Sequence, residues 1–545
     1  MKKNKILIGL LSILLGTGAC KKQLDISNTN APTPASASSE SGVISLAQGS
    51  IYRNGFFDLK FSDGVFGRFY AGATGFHEMM GDIIGVEAAN AFINQIGCPN
   101  KVTLDNGTVV PNPSAINTQY ALLRQINANA QGGSNPTYYE WAYMYNMIAA
   151  ANGVLEIAGT TNFNGSGAAT KKSTVQAWAY WWKGYAYARI GSIYYAGIIQ
   201  NAATASASTN GNYVSKEAII AESNANFDKA ATAIGTATSA SDYNTVLGAL
   251  IPGFLQLGKG GVLTQTMWLH NINTMKARNI LVNNTKNVMT PAQWSSILAL
   301  VNNGITSADL VFTGRTDPNG DFLGTTIADK TQSAGVATNT YKLSERWVQE
   351  FRAGDKRRIN NVRTLPNVGI FNTDRGNVFN TRYSLINGGS GAAGVITYSN
   401  TALGANEITL AGSYEENELM KAEALIQSSQ VDAGVTSINN VRNYQGAGLT
   451  ALDNGLTQAA AYEELRRERR IALAFKGLSF YDARRWDIIA PDKSRTGAVV
   501  LSSTGVVSTN ATINYGYLDY WDVPDNELAY NPAVAGSAPV ENPKK

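Results

Sequence analysis

Histidine, cysteine and charge are all scarce in this 545-residue chain, which contains two histidines, two cysteines and 15% charged residues. Zinc fingers, Cys/His clusters and HExxH metalloproteases need more of these ligands and are excluded, and we expect neither a metal nor a cofactor. The 44 Lys and Arg against 40 Asp and Glu give a net charge of only +4, which excludes a broad nucleic-acid-binding surface. No apolar run reaches the ~18 residues that would predict a membrane-spanning helix.

The N-terminus has the composition of a signal peptide. Three lysines precede an apolar stretch at residues 6–15, which is too short to span a bilayer. Small residues then lead into Cys20, so we predict a lipoprotein signal peptide over residues 1–19 and acylation of Cys20. A plain secretory signal with an incidental cysteine is the alternative. Acylation would leave Cys98 without a disulfide partner. Residues 20–42, rich in Ser, Asn, Thr, Ala and Pro, are predicted to form a flexible tether.

The remaining chain, residues 43–545, is predicted to be a mainly α-helical body with long loops and minor β strands. We divide it into an N-terminal part, about residues 43–340, and a C-terminal part, about residues 341–545. Apolar residues recur at helical spacing between long Gly-, Asn- and Thr-rich segments. The predicted helices are 138–158, 173–195, 215–234, 267–283, 291–303, 343–352, 414–428, 432–444 and 459–476. The predicted long loops are 97–136, 159–170, 304–340 and 364–412. Pro291 suits the first position of its helix, with Thr290 as the cap.

Two glycine-rich motifs resemble nucleotide-binding signatures. Residues 253–259, GFLQLGK, match the start of a P-loop, but Gly260 stands where a Ser or Thr would hold magnesium. Residues 389–394, GSGAAG, match GxGxxG, but we predict a strand at 395–398, where the dinucleotide fingerprint needs a helix. A glycine turn and a flexible loop are therefore favoured over phosphate binding.

Catalytic arrangements are few. A Ser-His-Asp site would need His77 or His270, which both lie in helical sequence and are better explained as core or surface residues. Paired carboxylates for glycoside hydrolysis are not excluded, because they need only proximity in space. The acidic cluster of Glu415, Glu416 and Glu418 is interpreted as a helix start, where anions favour the helix dipole.

The segment 462–487 is rich in both arginine and acidic residues. Glu463 can meet Arg466 and Arg467 at helical spacing. We interpret the segment as a set of structural ion pairs, with phosphate binding as the less favoured alternative.

Four separated blocks resemble the SusD/RagB family of outer-membrane nutrient-binding lipoproteins. They are CKKQLDISNTNAP at 20–32, SYEENELMKAEALIQ at 413–427, INNVRNYQGAGL at 438–449 and ELRRERRIALAFKGLSFYDARRWD at 464–487. Weaker similarities extend the resemblance over nearly the whole mature chain, among them WWKGYAYARIGSIYYAG at 181–197 and WDVPDNELAYNP at 521–532.

The resemblance implies a body of tetratricopeptide-like helix pairs, tethered to the outer membrane through Cys20 and exposed at the cell surface. It further implies that the protein captures an oligosaccharide and delivers it to a SusC-like TonB-dependent transporter, without catalysis. A peptide-capturing, RagB-like protein is the main alternative. A surface glycoside hydrolase and a pure helical-repeat scaffold are the others.

The candidate ligand-binding residues are aromatic. Neutral sugars bind to aromatic faces and to amide and hydroxyl groups, and the chain has 25 Tyr and 9 Trp. Most of these lie in predicted helices, where core packing is the default interpretation. We therefore expect ligand contact from aromatics of the predicted loops: Phe92, Tyr120, Phe322 and Tyr383.

Overall fold

The computed structural model describes residues 38–56, 73–86, 96–112, 114, 116, 118–202, 209–316, 331, 341–369, 381–490, 492–502 and 504–544. The α-helices, in chain order, are α1 (Glu40–Phe56), α2 (Gly75–Met80), α3 (Gln119–Ile126), α4 (Tyr138–Thr160), α5 (Ala168–Ile193), α6 (Lys216–Thr236), α7 (Ala240–Leu250), α8 (Gln265–Val282), α9 (Pro291–Val301), α10 (Glu345–Val348), α11 (Lys356–Asn361), α12 (Tyr414–Gln427), α13 (Val431–Tyr444), α14 (Gln458–Ala472), α15 (Ser479–Arg485) and α16 (Asp525–Leu528). The strands are β1 (Ile84–Val86), β2 (Lys101–Thr103), β3 (Val109–Pro111), β4 (Ala196–Gly197), β5 (Val214–Ser215), β6 (Phe312–Arg315), β7 (Tyr341–Leu343), β8 (Val362–Gly369), β9 (Thr381–Leu385), β10 (Glu407–Ala411), β11 (Arg495–Leu501) and β12 (Val507–Asn514).

The helical body is organised around α5, which packs mainly against α4 and α6. Four of its aromatic residues, Trp178, Trp181, Trp182 and Tyr185, recur at three- and four-residue spacing and share one side of the helix, and every residue from Trp181 to Ile193 is buried. Trp178, Trp181 and Trp182 are fully buried, and the Trp181 ring lies 4.6 Å from the ring of Phe312 in β6. A Cβ on Gly184 would lie 2.8 Å from the Phe227 ring, so the absence of a side chain there lets α5 and α6 approach closely.

A second group of helices, α12, α13 and α14, forms the C-terminal part of the body. Helices α8, α9 and α12 share a smaller apolar cluster that includes Trp294, Ile297 and Met420. The start of α9 is as predicted: the Thr290 side chain and Gln293 form a reciprocal capping box, with Pro291 in the first turn. The prediction of a mainly α-helical body with minor strands is confirmed.

The strands form small antiparallel sheets that join distant parts of the chain. A four-stranded sheet has the order β11-β12-β2-β3, with Val102 opposite Ile513. Strands β1 and β7 pair with Ile84 opposite Leu343. The other pairs are β4 with β5, β6 with β10, and β8 with β9. Residues of both predicted parts of the body contribute to one main apolar core.

Several predicted boundaries differ from the structure. The predicted loop 97–136 contains β2, β3 and α3, the loop 304–340 contains β6, and the loop 364–412 contains most of β8 together with β9 and β10. Helix α1 begins at Glu40, inside the predicted tether. The helical sequence predicted around His77 is confirmed as α2, whereas the helices that the sequence pattern does not predict are α1, α3, α7, α11, α15 and α16. Within the described ranges, no helix combines the length and apolar character that a membrane span requires.

The charged side chains of segment 462–487 form ion pairs, which confirms the interpretation of this segment as a set of structural ion pairs. Glu463 pairs with Arg466 at 2.8 Å and with Arg467 at 3.5 Å, as its helical spacing predicts. Most other partners come from different elements: Arg485 contacts Glu423 of α12 at 2.6 Å. Because these groups are largely buried, removing one partner would leave an uncompensated charge in the core.

Candidate ligand-binding site

A pocket of about 580 Å³ opens beside the hairpin of α12 and α13. Only residues 428–430 connect these two packed helices, so the start of α12 lies next to the end of α13. The other walls come from parts of residues 305–311, from the loop at 388–400, and from β10 with the residues before it. Lys259 and Lys476 also line the pocket.

The aromatic part of the pocket consists of Tyr414, the first residue of α12, and Tyr444, the last residue of α13. Their ring centroids lie 4.8 Å apart at an interplanar angle of 67°, which is an edge-to-face arrangement. Tyr444 is 38% exposed. Burial raises the pKa of each tyrosine to about 12, so both hydroxyls are protonated at neutral pH and are able to donate and accept hydrogen bonds.

A buried carboxylate, Glu415, follows Tyr414 in the pocket wall. Lys476 Nζ and Gln445 Nε2 both donate to Glu415 Oε1 at 3.1 Å. Burial by itself raises the pKa of Glu415, but the Lys476 charge and the hydrogen bonds together lower it below its usual value. The carboxylate is therefore ionised at neutral pH and acts as a hydrogen-bond acceptor.

Two further carboxylates line the pocket, and each of them is held by a donor. Glu407 accepts a hydrogen bond from the Arg315 guanidinium at 2.7 Å and another from the Lys259 backbone N–H at 3.0 Å. Asp309 Oδ2 lies 2.8 Å from His270 Nδ1. These contacts fix the carboxylates in place, with their charges offset by neighbouring donors.

This arrangement favours binding over hydrolysis. A glycoside hydrolase needs a carboxyl group whose raised pKa lets it act as a general acid, whereas the pKa of Glu415 is lowered. A Ser-His-Asp site needs a hydroxyl bonded to its histidine. Among the described residues, His270 is hydrogen-bonded only to Asp309. His77 is buried and its Nε2 contacts Glu140 at 2.8 Å, as a core residue would.

The P-loop-like residues 253–259 form a turn at the edge of the pocket, as predicted. Their start is a single 3₁₀ turn, Gly253–Leu255, and the next helix begins only at Gln265. The Lys259 backbone N–H, which would face phosphate in a P-loop, donates instead to the Glu407 carboxylate. A phosphate at this position would be repelled by that carboxylate.

The glycine loop at 388–394 forms another part of the pocket wall. The backbone that follows it at 395–398 is irregular, so the predicted strand there is wrong. Asn360 Oδ1 accepts hydrogen bonds from the backbone N–H groups of Ser390 at 3.0 Å and Ala392 at 3.1 Å. In the segment 395–398 itself, the Ile396 N–H donates to the Gln445 carbonyl oxygen at 3.1 Å and the Tyr398 N–H donates to Asn361 Oδ1 at 2.9 Å, so these backbone groups have partners without a strand ladder.

The predicted site residues do not converge on this pocket. Cys20, Phe92 and Phe322 lie outside the described residues. Tyr120 lies in α3, not in a loop, and packs partly buried against the core. Tyr383 lies in β9 and lines a different pocket. Ligand contact by these four aromatics stays a prediction.

Sequence reasoning missed Tyr414 and Tyr444, although both stand within the blocks that carry the family resemblance. Their helical positions favoured core packing as the interpretation. The signal that could have found them is the short connection between the two predicted helices, 414–428 and 432–444. A helical hairpin places its first and last residues side by side.

The structure is thus a mainly α-helical fold with a polar, tyrosine-containing cleft. The SusD family model matches residues 416–537, a segment that begins at the pocket and contains most of α12, all of α13, α14 and α15, and the strands β11 and β12. A search of curated protein sequences gives no match.

Solved structures resemble nearly the whole chain. A SusD homolog from Bacteroides thetaiotaomicron VPI-5482 matches with a TM-score of 0.58 and 15% identity, covering 92% of this chain and 97% of that one. A SusD-like carbohydrate-binding protein from Bacteroides vulgatus ATCC 8482 has a TM-score of 0.56 and 14% identity, covering 92% and 98%. A structure described with a xylogluco-oligosaccharide has a TM-score of 0.56 and 12% identity, covering 92% and 99%. The chain therefore has the fold of these SusD-like proteins, and the resemblance to the SusD/RagB family is confirmed.

Proposed function

We propose that this chain captures oligosaccharides at the cell surface and delivers them to a SusC-like TonB-dependent transporter, without catalysing any change in them. The observation that carries the proposal is the pocket beside α12 and α13. It combines a partly exposed tyrosine pair with carboxyl groups, amides and hydroxyls in a cleft of about 580 Å³. This chemistry suits a neutral sugar, whose C–H faces contact aromatic rings and whose hydroxyls bond to fixed polar groups.

The comparisons support the same class of ligand. One similar structure is described as a carbohydrate-binding protein and another as carrying a xylogluco-oligosaccharide. We extend oligosaccharide binding to this chain because its fold is theirs and its pocket has the required groups. The pocket carboxylates are held by ion pairs and hydrogen bonds, which supports a receptor that does not cleave its ligand.

Anchoring and transport are also part of the proposal. Acylation of Cys20 would tether the body to the outer membrane, where a SusC-like barrel would receive the ligand. Labelling with a fatty acid analogue tests this directly in a bacterial host that processes lipoproteins. The wild-type chain should be labelled, and the Cys20→Ala variant should not. Label on both chains, or on neither, would contradict the anchor.

Isothermal titration with neutral oligosaccharides and with peptides tests the ligand class. We expect micromolar binding of at least one neutral oligosaccharide, with no product formed during incubation. Tyr444→Ala should weaken this binding about tenfold, because it removes the exposed ring of the pocket. Tyr530→Ala, which removes a tyrosine that is 75% exposed outside the pocket, should leave binding unchanged.

Three results would contradict the proposal. Binding of peptides alone would favour the peptide-capturing alternative. Release of shortened sugars would indicate a hydrolase. Equal binding by wild type and Tyr444→Ala would mean that the ligand binds elsewhere.

A further inference from the structure

A second pocket, of about 370 Å³, lies between α10, α11 and β9. Three arginines contribute to its lining: Arg352, Arg358 and Arg382. The carboxylates that share the lining are Glu345 and Asp355. Positive groups therefore outnumber negative ones around this pocket, in contrast to the first pocket with its three carboxylates and two lysines.

Both carboxylates of the second pocket are already paired with arginines. Glu345 is buried; it accepts hydrogen bonds from the Arg382 backbone N–H at 2.6 Å and from Arg382 Nη2 at 2.6 Å. Asp355 caps α11 and is paired with the buried Arg357, whose Nη2 lies 2.8 Å from Asp355 Oδ2. Neither carboxylate is left to neutralise Arg358.

Arg358 is half-buried and has no carboxylate partner among the described residues. Its guanidinium carbon lies 5.8 Å from the ring centroid of Tyr383, and that of Arg382 lies 5.5 Å from the same centroid. Two guanidinium groups are thus gathered around one ring. Arg382 is already paired with Glu345 and Arg352 with Glu464, so Arg358 is the guanidinium group of this lining that would gain most from contact with an anion.

Apart from Gln349, the side chains in the rest of the lining are apolar or aromatic. Val348 and Phe351 are buried in its wall, and Ile359 is 60% exposed at its edge. An inorganic anion would make no use of this apolar surface. A ring with C–H faces and a carboxylate would use both the apolar wall and the arginines.

We propose that the second pocket binds an acidic sugar residue, with its carboxylate on Arg358 and its ring against the apolar wall. The choice of a sugar as the ligand rests on the proposed function. The chain would then bind charged glycans as well as neutral ones, and Tyr383, whose ring centroid lies 5.8 Å from the Arg358 guanidinium carbon, would position the group that recognises the charge.

Trigalacturonate and its methyl ester form a matched pair of probes, because esterification removes the charge and keeps the rings. Wild type should bind trigalacturonate, and the ester should bind at least about tenfold more weakly. Arg358→Gln should weaken trigalacturonate binding by about tenfold or more, while Arg358→Lys, which keeps the charge, should restore part of it. Lys101→Gln removes an exposed positive charge on β2 and should have no effect. Circular dichroism spectra and melting curves would establish that each variant is folded.

The outcomes separate this inference from the proposed function. Equal affinity for trigalacturonate and its ester, or unchanged affinity in Arg358→Gln, would overturn the inference. Equally tight binding of triglutamate would overturn the assignment to a sugar, since that probe has carboxylates on a peptide backbone. A chain that binds trigalacturonate through Arg358 but binds no neutral oligosaccharide would retain this inference and lose the first proposal.

Discussion

Glu350 provides the sharpest test of the buried ion pairs. It follows α10 and is 1% exposed. Arg466 contacts it in bidentate fashion, with Nη1 at 2.9 Å from Oε1 and Nη2 at 2.8 Å from Oε2. Arg470 lies 2.9 Å and Arg495 lies 3.2 Å from the same carboxylate. Three guanidinium groups from two other elements therefore meet at one carboxylate, although Arg466 also pairs with Glu463 and Arg495 with Asp82.

The free energy involved follows from the pKa of Glu350. Burial by itself raises this pKa, but the surrounding arginines lower it from 4.5 to about 2. A shift of roughly 2.5 units at about 1.4 kcal/mol per unit corresponds to about 3 kcal/mol of stability. Because the folded-state pKa is the lower one, this stability is present above pH 4.5. It is lost as the pH falls from about 4.5 towards about 2.

The test is urea unfolding of wild type and of Glu350→Gln at pH 7 and at pH 3, with circular dichroism as the signal that monitors unfolding. At pH 7 the variant should be less stable by about 3 kcal/mol, since Arg470 stays buried without its carboxylate. The difference between the two proteins should shrink at pH 3, where Glu350 of wild type begins to be protonated. Glu463→Gln is the control, because Glu463 contacts the same Arg466 but its side chain is 48% exposed. Its effect should be below about 1 kcal/mol.

Two results would refute this reasoning. One is a Glu350→Gln variant that is as stable as Glu463→Gln at pH 7. The other is a stability difference from wild type that does not change between pH 7 and pH 3.

Two further predictions concern the core and the pocket wall. Trp181→Ala should lower the free energy of unfolding by about 3–5 kcal/mol, because it empties a fully buried site among other aromatic rings. A loss of unfolding free energy as small as that caused by Tyr530→Ala would contradict this packing. Gly446→Ala should weaken oligosaccharide binding, because Gly446 has a φ of 70° and a Cβ there would lie 2.1 Å from the carbonyl oxygen of Gly394 in the pocket wall. Gly455→Ala has the same backbone strain, with a φ of 84°, but no atom within 4 Å, so titration should show normal binding for that control.

The long helices could be predicted because their apolar residues repeat with helical period. The segment predicted at 138–158 is helical over Tyr138–Thr160, and the one predicted at 414–428 is helical over Tyr414–Gln427. Helix α7, Ala240–Leu250, was missed because its sequence, ASDYNTVLGAL, mixes small and polar residues with its apolar ones. Its buried residues become apparent only once the neighbouring helices are in place.

The joining of the strands into one sheet and the pocket could not be predicted, because both depend on contacts between distant residues. Strands β2 and β3 form a local hairpin, as do β11 and β12, but β2 also pairs with β12, about 400 positions further along the chain, and no local turn signal indicates that pairing. The pocket brings Lys259, Asp309, Glu407 and Lys476 together from separate elements. No spacing rule within one segment connects such residues.

The sequence predicted that the charged residues of segment 462–487 form ion pairs, but it did not predict which residues pair. The local pair of Glu463 and Arg466 follows from helical spacing. The buried partners Glu350, Arg357 and Glu423 come from other parts of the chain. Sequence composition indicated that the charges compensate each other, whereas only the packed helices determine which groups meet.

The most direct test of the central proposal is a crystal structure of the chain with the neutral oligosaccharide that binds it most tightly in titration. We predict sugar rings in the pocket between α12 and α13, with one ring in contact with Tyr444 and hydroxyls bonded to Glu415. A sugar bound on another surface, with this pocket holding only solvent, would contradict the account.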